Sequence, residues 1–358
     1  MKKSTWIVLA VLALVSAAAA FYGYEKWSAR NSFPRSEMLA MMPADASAVF
    51  FVDLAELRTT PFLAQLYAWA PKPQADPEYS QFVKDTGFDY ERDLDRVAIA
   101  LEKRGESSTF LAIADGKFDQ QKISAYALKT GTVSKNASRE IFSVPTSGSA
   151  KRISFSFLRK SRVAFTNGLD LASALNTHER NQEVVDWRTQ FERLGGSPVF
   201  AVIRQDAAAG SALAAQAPGG LQSPQLSALL DQLQWITIAG KPDNDRLRIV
   251  AEGECQAEAT MRQLADLLNG VLILAEAGLN DAKTRQQLDP AARAAYLELL
   301  KSADVAKIDR GDTKSVRLTF EITPAFLESA GRVTPASPNP VPTKPLPGNA
   351  VRARKGHT

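Results

Sequence analysis

Cysteine and histidine are almost missing from this chain: Cys255 is its single thiol, and His178 and His357 are its two imidazoles in 358 residues. One thiol closes no internal disulfide, so stability has to come from core packing. Lipoprotein processing is excluded as well, because it needs a cysteine at a cleavage point near the start. Zinc sites of the usual Cys and His type need three or four ligands and fall to the same count. A Ser-His-Asp or Cys-His site would have to recruit His178, in the polar stretch Asn176-Thr177-His178-Glu179-Arg180, or His357 beside the chain end. His178 reads as a solvated linker residue, and Cys255 as a small buried or half-buried residue between a strand and a helix. Also missing are the G-x-S-x-G elbow, the S-x-x-K pair, H-E-x-x-H, the G-x-x-x-x-G-K phosphate loop and the G-x-G-x-x-G turn. No catalytic, cofactor-binding or metal-ligating set is therefore assigned, and no cofactor is expected.

What is present is ordinary globular composition, 45% hydrophobic and 23% charged, in a length that suits two modest domains. The net charge of +4 is unevenly spread. Residues 1–30 hold four basic and one acidic side chain, and residues 331–358 hold five basic and none acidic, which leaves 31–330 at −4. A mildly acidic body offers no basic face to displace counterions from phosphates, so no nucleic-acid partner is expected.

The N-terminus carries Lys2 and Lys3 and then an uncharged run, Trp6–Tyr24. Nineteen residues make a helix of roughly 28 Å, enough to cross a hydrocarbon core of about 30 Å. The flanking positives hold the start in the cytoplasm and send the rest across. Trp6 at one end, with Phe21, Tyr22, Tyr24 and Trp27 at the other, suits the interfacial aromatic belts of a retained anchor. Ala18-Ala19-Ala20 after a ten-residue core, Trp6–Val15, also fits signal-peptide cleavage before Phe21. The expected location is the cytoplasmic (inner) membrane, single-pass through Trp6–Tyr24, with the body on the periplasmic side. Between Thr334 and Pro347 stand six prolines, followed by Arg352, Arg354 and Lys355, a disordered tail of polyproline character.

The body reads as the same unit twice. Ala48–Val52 (AVFFV) and Pro198–Ile203 (PVFAVI) are compact apolar strands about 150 residues apart, Val49 matching Val199. Helical periodicity follows over Leu54–Trp69 and Glu78–Thr86, and over Ala207–Gln216 and Gln225–Gln232. Paired strands come next, Leu94–Leu101 with Thr109–Ala114 and, 139 residues on, Leu233–Ala239 with Arg246–Glu252. Each copy resumes helix, over Gln120–Lys129 or over Gln256–Ala277 and Pro290–Lys301, and closes with strands at Glu140–Val144, Arg152–Leu158 and Arg162–Thr166, or at Val305–Asp309 and Ser315–Ile322. The apolar run Leu264–Ala275 is too short to span a bilayer and reads as a helix buried in the body. The expected architecture is α+β: an N-terminal transmembrane segment (1–30), two tandem split-βαβ, ferredoxin-like units with antiparallel sheets side by side (31–178 and 179–330), and the disordered Pro-rich basic tail (331–358).

Carboxylates are the remaining chemistry. Asp85, Asp89, Glu91, Asp93 and Asp95 crowd one short stretch with Arg92 and Arg96 between them. A calcium loop starting at Asp89 would need glycine at its sixth position and glutamate at its twelfth, where Leu94 and Ala100 stand. A polar turn with caps and ion pairs is the plainer expectation, and Pro242–Asp245 reads as a hairpin turn. Met42-Pro43-Ala44-Asp45-Ala46-Ser47, the strand to Val52 and Asp53-Leu54 resemble the opening of a set of exported bacterial proteins of unassigned function. That resemblance implies an α+β domain behind a signal or anchor and no activity. Two functions are therefore expected in turn: a non-enzymatic envelope module that binds a protein, a wall polymer or itself, or a carboxylate-dependent envelope enzyme acting on glycan through Asp53, Asp93 or Asp95.

Overall fold

The computed structural model describes residues 35–69, 77–104, 107–136, 139–145, 152–167, 171–175, 187–193, 197–205, 228 and 230–332. The apolar run Trp6–Tyr24, His178, the helix expected over 207–216, half of that expected over 225–232, and the tail after 332 lie outside these residues.

Twelve strands are described: β1 Ala48–Asp53, β2 Leu94–Arg104, β3 Ser107–Gly116, β4 Thr132–Asn136, β5 Arg139–Pro145, β6 Arg152–Arg159, β7 Arg162–Asn167, β8 Val199–Arg204, β9 Leu233–Asp243, β10 Arg246–Cys255, β11 Asp304–Asp309 and β12 Lys314–Ile322. All belong to one antiparallel sheet in the order β11-β12-β10-β9-β8-β1-β2-β3-β7-β6-β5-β4. The expectation of two ferredoxin-like units with separate sheets is thereby corrected. The physical reason lies in β1 and β8, which are apolar on both faces and so belong in a sheet interior. They pair with each other, Phe50 opposite Ala201 and Phe51 opposite Phe200. Two apolar edges, each a liability if left open, are satisfied by one contact.

Outward from that contact the order β1-β2-β3-β7-β6 matches β8-β9-β10-β12-β11, and β5 and β4 extend one edge. β2 and β9 are each eleven residues, β3 and β10 each ten. At a constant offset of 139, Arg96 opposite Asp115 corresponds to Trp235 opposite Glu254, and Leu94 opposite Gly116 to Leu233 opposite Cys255. The β-bulge of each hairpin therefore falls at the same place, on Asp95 and on Gln234. The innermost strands are related differently. Val49 and Phe51 lie in the same core cluster as Phe200 and Val202, whereas Val199 lies in the cluster across the sheet. The structural offset is 151 rather than 150, because a one-residue slip would put every side chain on the wrong face.

The helices are α1 (residues 35–40), α2 Leu54–Leu57, α3 Pro61–Trp69, α4 Pro77–Thr86, α5 Tyr90–Asp93, α6 Gln120–Thr130, α7 Leu171–Leu175, α8 Arg188–Arg193, α9 Glu258–Asn280, α10 Ala282–Gln287, α11 Pro290–Ser302 and α12 Pro324–Arg332. On one face of the sheet Met38 and Leu39 from α1, Leu171 from α7 and Trp187 just before α8 pack on Val49, Phe51, Ile113 and Phe200. The Trp187 indole donates to the Pro43 carbonyl at 2.8 Å, satisfying its polar edge inside that core. On the other face Leu57, Leu63 and Leu66 from α2 and α3, with Leu327 from α12, cover Val52, Val199 and Leu247.

Helix α9 packs Met261, Leu264 and Ala265 against Leu233, Cys255 and Val316. Its buried residues stop at Ala265, and beyond them Ile273 is 67% and Leu274 73% exposed. The expectation of a helix buried along Leu264–Ala275 thus holds only at its start. Among the described residues no helix is long and apolar enough to cross a membrane.

Candidate functional site

A meeting of buried and half-buried charge lies at one end of the sheet, at the seam of its two halves. β1 ends in Asp53, which is fully buried. Its Oδ1 accepts from the Glu56 backbone N–H at 2.9 Å, capping α2, and its Oδ2 accepts from Arg96 Nε at 2.7 Å. Arg96 sits directly opposite Asp53 in the β1–β2 register, so the strand pairing itself delivers the ion pair. One turn on, Glu56 accepts from Arg35 Nη2 of α1 at 3.3 Å. Arg35 also lies over the Phe51 ring, 5.2 Å from its centroid. From the second half come Lys241 and Arg248, directly opposite each other on β9 and β10, an arrangement of like charges that costs energy.

This environment acts differently on its members. Burial pushes the Glu56 carboxyl up to about 7, against the pull of Arg35 and with the help of the neighbouring Asp53 charge. Burial pushes the Lys241 ammonium down, and Arg248 adds to the effect. Asp53 serves as a cap and ion-pair acceptor, while Glu56 is poised to exchange a proton near neutrality. The two carboxylates stand side by side at the start of one helix, whereas glycosidic cleavage needs two carboxyl groups across a substrate.

The structure does not bring Asp53, Asp93 and Asp95 together as one acid–base set. Asp93, at the end of α5, accepts from the Asp89 N–H at 2.9 Å and from Arg92 Nε and Nη2 at 2.9 and 2.7 Å. The Arg92 hydrogen bond holds its carboxyl below the usual range despite burial. Asp95, on the β2 bulge, pairs with Arg58 Nη1 at 3.1 Å, and the same guanidinium reaches the carbonyls of Glu91 and Leu94. Asp89 caps α5 by accepting from Glu91 N–H at 3.0 Å, and Asp85 pairs with Lys129. The acid-rich stretch is a turn of caps and ion pairs.

Two further buried pairs hold the sheet rather than build the seam. Arg162 Nε and Nη2 grip both oxygens of Asp115, at 2.6 and 2.8 Å, from the facing position on β7. In the other half Glu252 faces Arg317 on β12 and also accepts from Arg310 and Ser315; together these outweigh burial and hold its carboxyl below the usual range. Cys255 ends β10, buried, with its thiol pushed up to about 11 by burial and by Glu254. That thiol is a poor nucleophile at neutral pH.

Sequence reading found Asp53 but missed Glu56, Arg35 and Lys241. The spacing Asp53-Leu54-Ala55-Glu56 carries a capping signal, an acid three residues after a cap, that marks a helix start and could have flagged Glu56. Nothing local signals Lys241, because its place depends on the β1–β8 contact.

No family model matches this chain, and no curated protein matches it. Among solved structures it is similar to crystal form IV of TP0453, with a TM-score of 0.46 and 10% identity over 82% of this chain and 95% of that one. Crystal form III of TP0453 gives 0.44 and 11% over 81% and 96%. Values this low assign neither a family nor an activity.

Proposed function

We propose that this chain is a non-enzymatic binding or scaffolding module of the bacterial cell envelope, held at the cytoplasmic membrane by Trp6–Tyr24 with its body on the periplasmic side. The observation that carries the binding part is the distal half of α9, where Ile273 and Leu274 are 67% and 73% exposed. Adjacent large apolar side chains on a regular helix are what a partner's surface covers. The membrane part rests on the uncharged run behind Lys2 and Lys3. The engagement of Asp53, Asp93 and Asp95 by arginines supports binding over carboxylate catalysis.

A photo-crosslinking residue placed at Leu274 in the full chain, in growing cells, tests the reading. A discrete adduct from position 274, absent from position 307 on β11, is expected, together with a full-length band that resists carbonate extraction. Glycan hydrolysis by the purified chain that disappears in Asp53→Asn, with no adduct at 274, would replace binding by the enzyme.

A further inference from the structure

The sheet has two end strands, and they are guarded differently. At one end β11 carries Asp304, Lys307 and Asp309, and α9 lies against it with Asp266 at 3.1 Å from Lys307. Charges and a covering helix keep an edge strand from pairing with another chain. At the other end β4 is exposed at all of its five positions, and among the described residues no strand pairs with its outer side. Its single charge is Lys135, which reaches back to Glu140 of β5 at 3.7 Å.

The two faces of β4 differ. Val133 stands opposite Phe142 of β5, so it shares the face on which Phe142 is buried and α6 packs. Four large apolar side chains are exposed among the described residues, and two of them belong to this edge: Val133 at 44% and, near the end of α6, Leu128 at 49%. The opposite face is polar. Thr132 and Ser134 lie there beside Ser143 and Arg152, whose guanidinium donates to the Thr132 hydroxyl at 3.3 Å and to the Ser143 carbonyl at 2.7 Å. An apolar rim on one face, hydroxyls on the other and open backbone between them fit an extended strand of the same arrangement. β4 is itself such a strand.

We propose that β4 is a dimer edge: it pairs antiparallel with β4 of a second copy about a two-fold axis at Val133, joining two twelve-stranded sheets. Charge selects this register. An axis at Lys135 sets the two ammonium groups face to face, and an axis at Ser134 leaves them about 8 Å apart, within the screening length of about 10 Å in 0.1 M salt. An axis at Val133 separates them by about 14 Å, beyond that length. Val133 then meets Val133 of the second copy, which covers the apolar rim, and Thr132 meets Ser134 as a hydroxyl pair. Lys135 falls opposite Gly131, whose backbone is extended at φ −109° and ψ −170° and which has no side chain to crowd it. Such an interface uses one patch twice. It buries little surface and is weak in solution; confinement of both copies to one membrane, which rests on the tether proposed above, strengthens it. Helix α9 packs at the other end of the sheet, so its own contact and this one can form together.

Two measurements on the full chain in detergent test the pairing. Sedimentation equilibrium over a concentration series should show monomer and dimer in exchange. Val133→Lys sets like charges directly opposite each other at an exposed site, and it should weaken the dimer about tenfold without unfolding the chain. On mild oxidation Val133→Cys should form an interchain disulfide, because opposite residues of an antiparallel pair stand about 4.5–5.5 Å apart between Cα atoms, inside the disulfide range. Lys135→Cys should form several-fold less, and wild type, whose Cys255 is buried, should form none. A monomer at every concentration overturns the proposal, as does Val133→Cys cross-linking no better than Lys135→Cys. A dimer that survives Val133→Lys overturns it too; its loss in Leu274→Lys would then place self-association on α9.

Discussion

The β2–β3 and β9–β10 hairpins share length, register and bulge, yet they differ at the inner end of the sheet. In the first half the innermost strand delivers Asp53 to Arg96, and a buried ion pair results. The position corresponding to that pair in the second half is Arg204 opposite Trp235, where the buried member is an indole. The architecture demands the bulge and the alternation of faces and is indifferent to whether charge or ring fills this place. Charge at the seam is therefore a property of this sequence rather than of its fold. Its members have neighbours that the second half does not reproduce.

The largest test of this contrast removes one member from each half. Asp53→Ala takes the counter-charge from the half-buried Arg96 and the cap from α2 and should cost about 3 kcal/mol, whereas Arg204→Ala should cost under about 1 kcal/mol, by urea denaturation. Equal losses would break the contrast. A smaller effect separates the two bulges. A Cβ on Gly116 would stand 2.4 Å from the Asp93 carbonyl, and the corresponding position already carries the side chain of Cys255. Gly116→Ala should cost about 1–3 kcal/mol through overpacking, and Cys255→Ala about 1 kcal/mol through a small void.

Next comes pH. The folded Glu56 holds its proton up to about 7, above its value in water, so its contribution to stability is complete below about 4.5 and lost as pH rises through 7. Wild-type stability should fall by about 1–2 kcal/mol from pH 5 to pH 8, discounted for the partial exposure of the group, and Glu56→Gln should flatten this part of the curve. Among the described residues no acid of raised pKa stands at the Arg204–Trp235 end, so substitutions there should leave the slope unchanged. A last comparison sets α9 against itself: Leu264→Ala, 4% exposed, should cost about 2–4 kcal/mol, while Leu274→Lys, the smallest change of all, should stay within about 0.5 kcal/mol of wild type, by thermal unfolding.

Much of the local structure was readable in the amino acids. The paired strands after Leu94 and Leu233, the helix over Gln120–Lys129 and the hairpin turn expected over Pro242–Asp245, which falls at Asn244 and Asp245 with Asn244 at φ 59° and Pro242 still in β9, follow from alternation, periodicity and turn chemistry. The joining of the halves was less so. AVFFV and PVFAVI lack alternation, which signals strands covered on both faces, but an apolar run does not say which strand lies beside it. The same lack of alternation hid the one-residue slip, since Val49 and Val199 match in type while facing opposite ways. Of the site, Asp53 was legible from its type and position. Glu56 is made unusual by its burial at a place where α1, β2 and β9, elements far apart in the chain, come together.

The contact between β1 and β8 also sets an order of events for a growing chain. Phe51 and Phe200 are neighbours in the sheet although about 150 residues separate them along the polypeptide. At a synthesis rate of about 5–20 residues per second, β1 waits roughly 8–30 s for its second partner. During that interval one side of an apolar strand is open, and wrong pairings compete with the right one. A holding factor that shields Ala48–Asp53 until Arg204 has emerged would thus raise the yield of this sheet more than one acting on the self-contained β9–β10 hairpin.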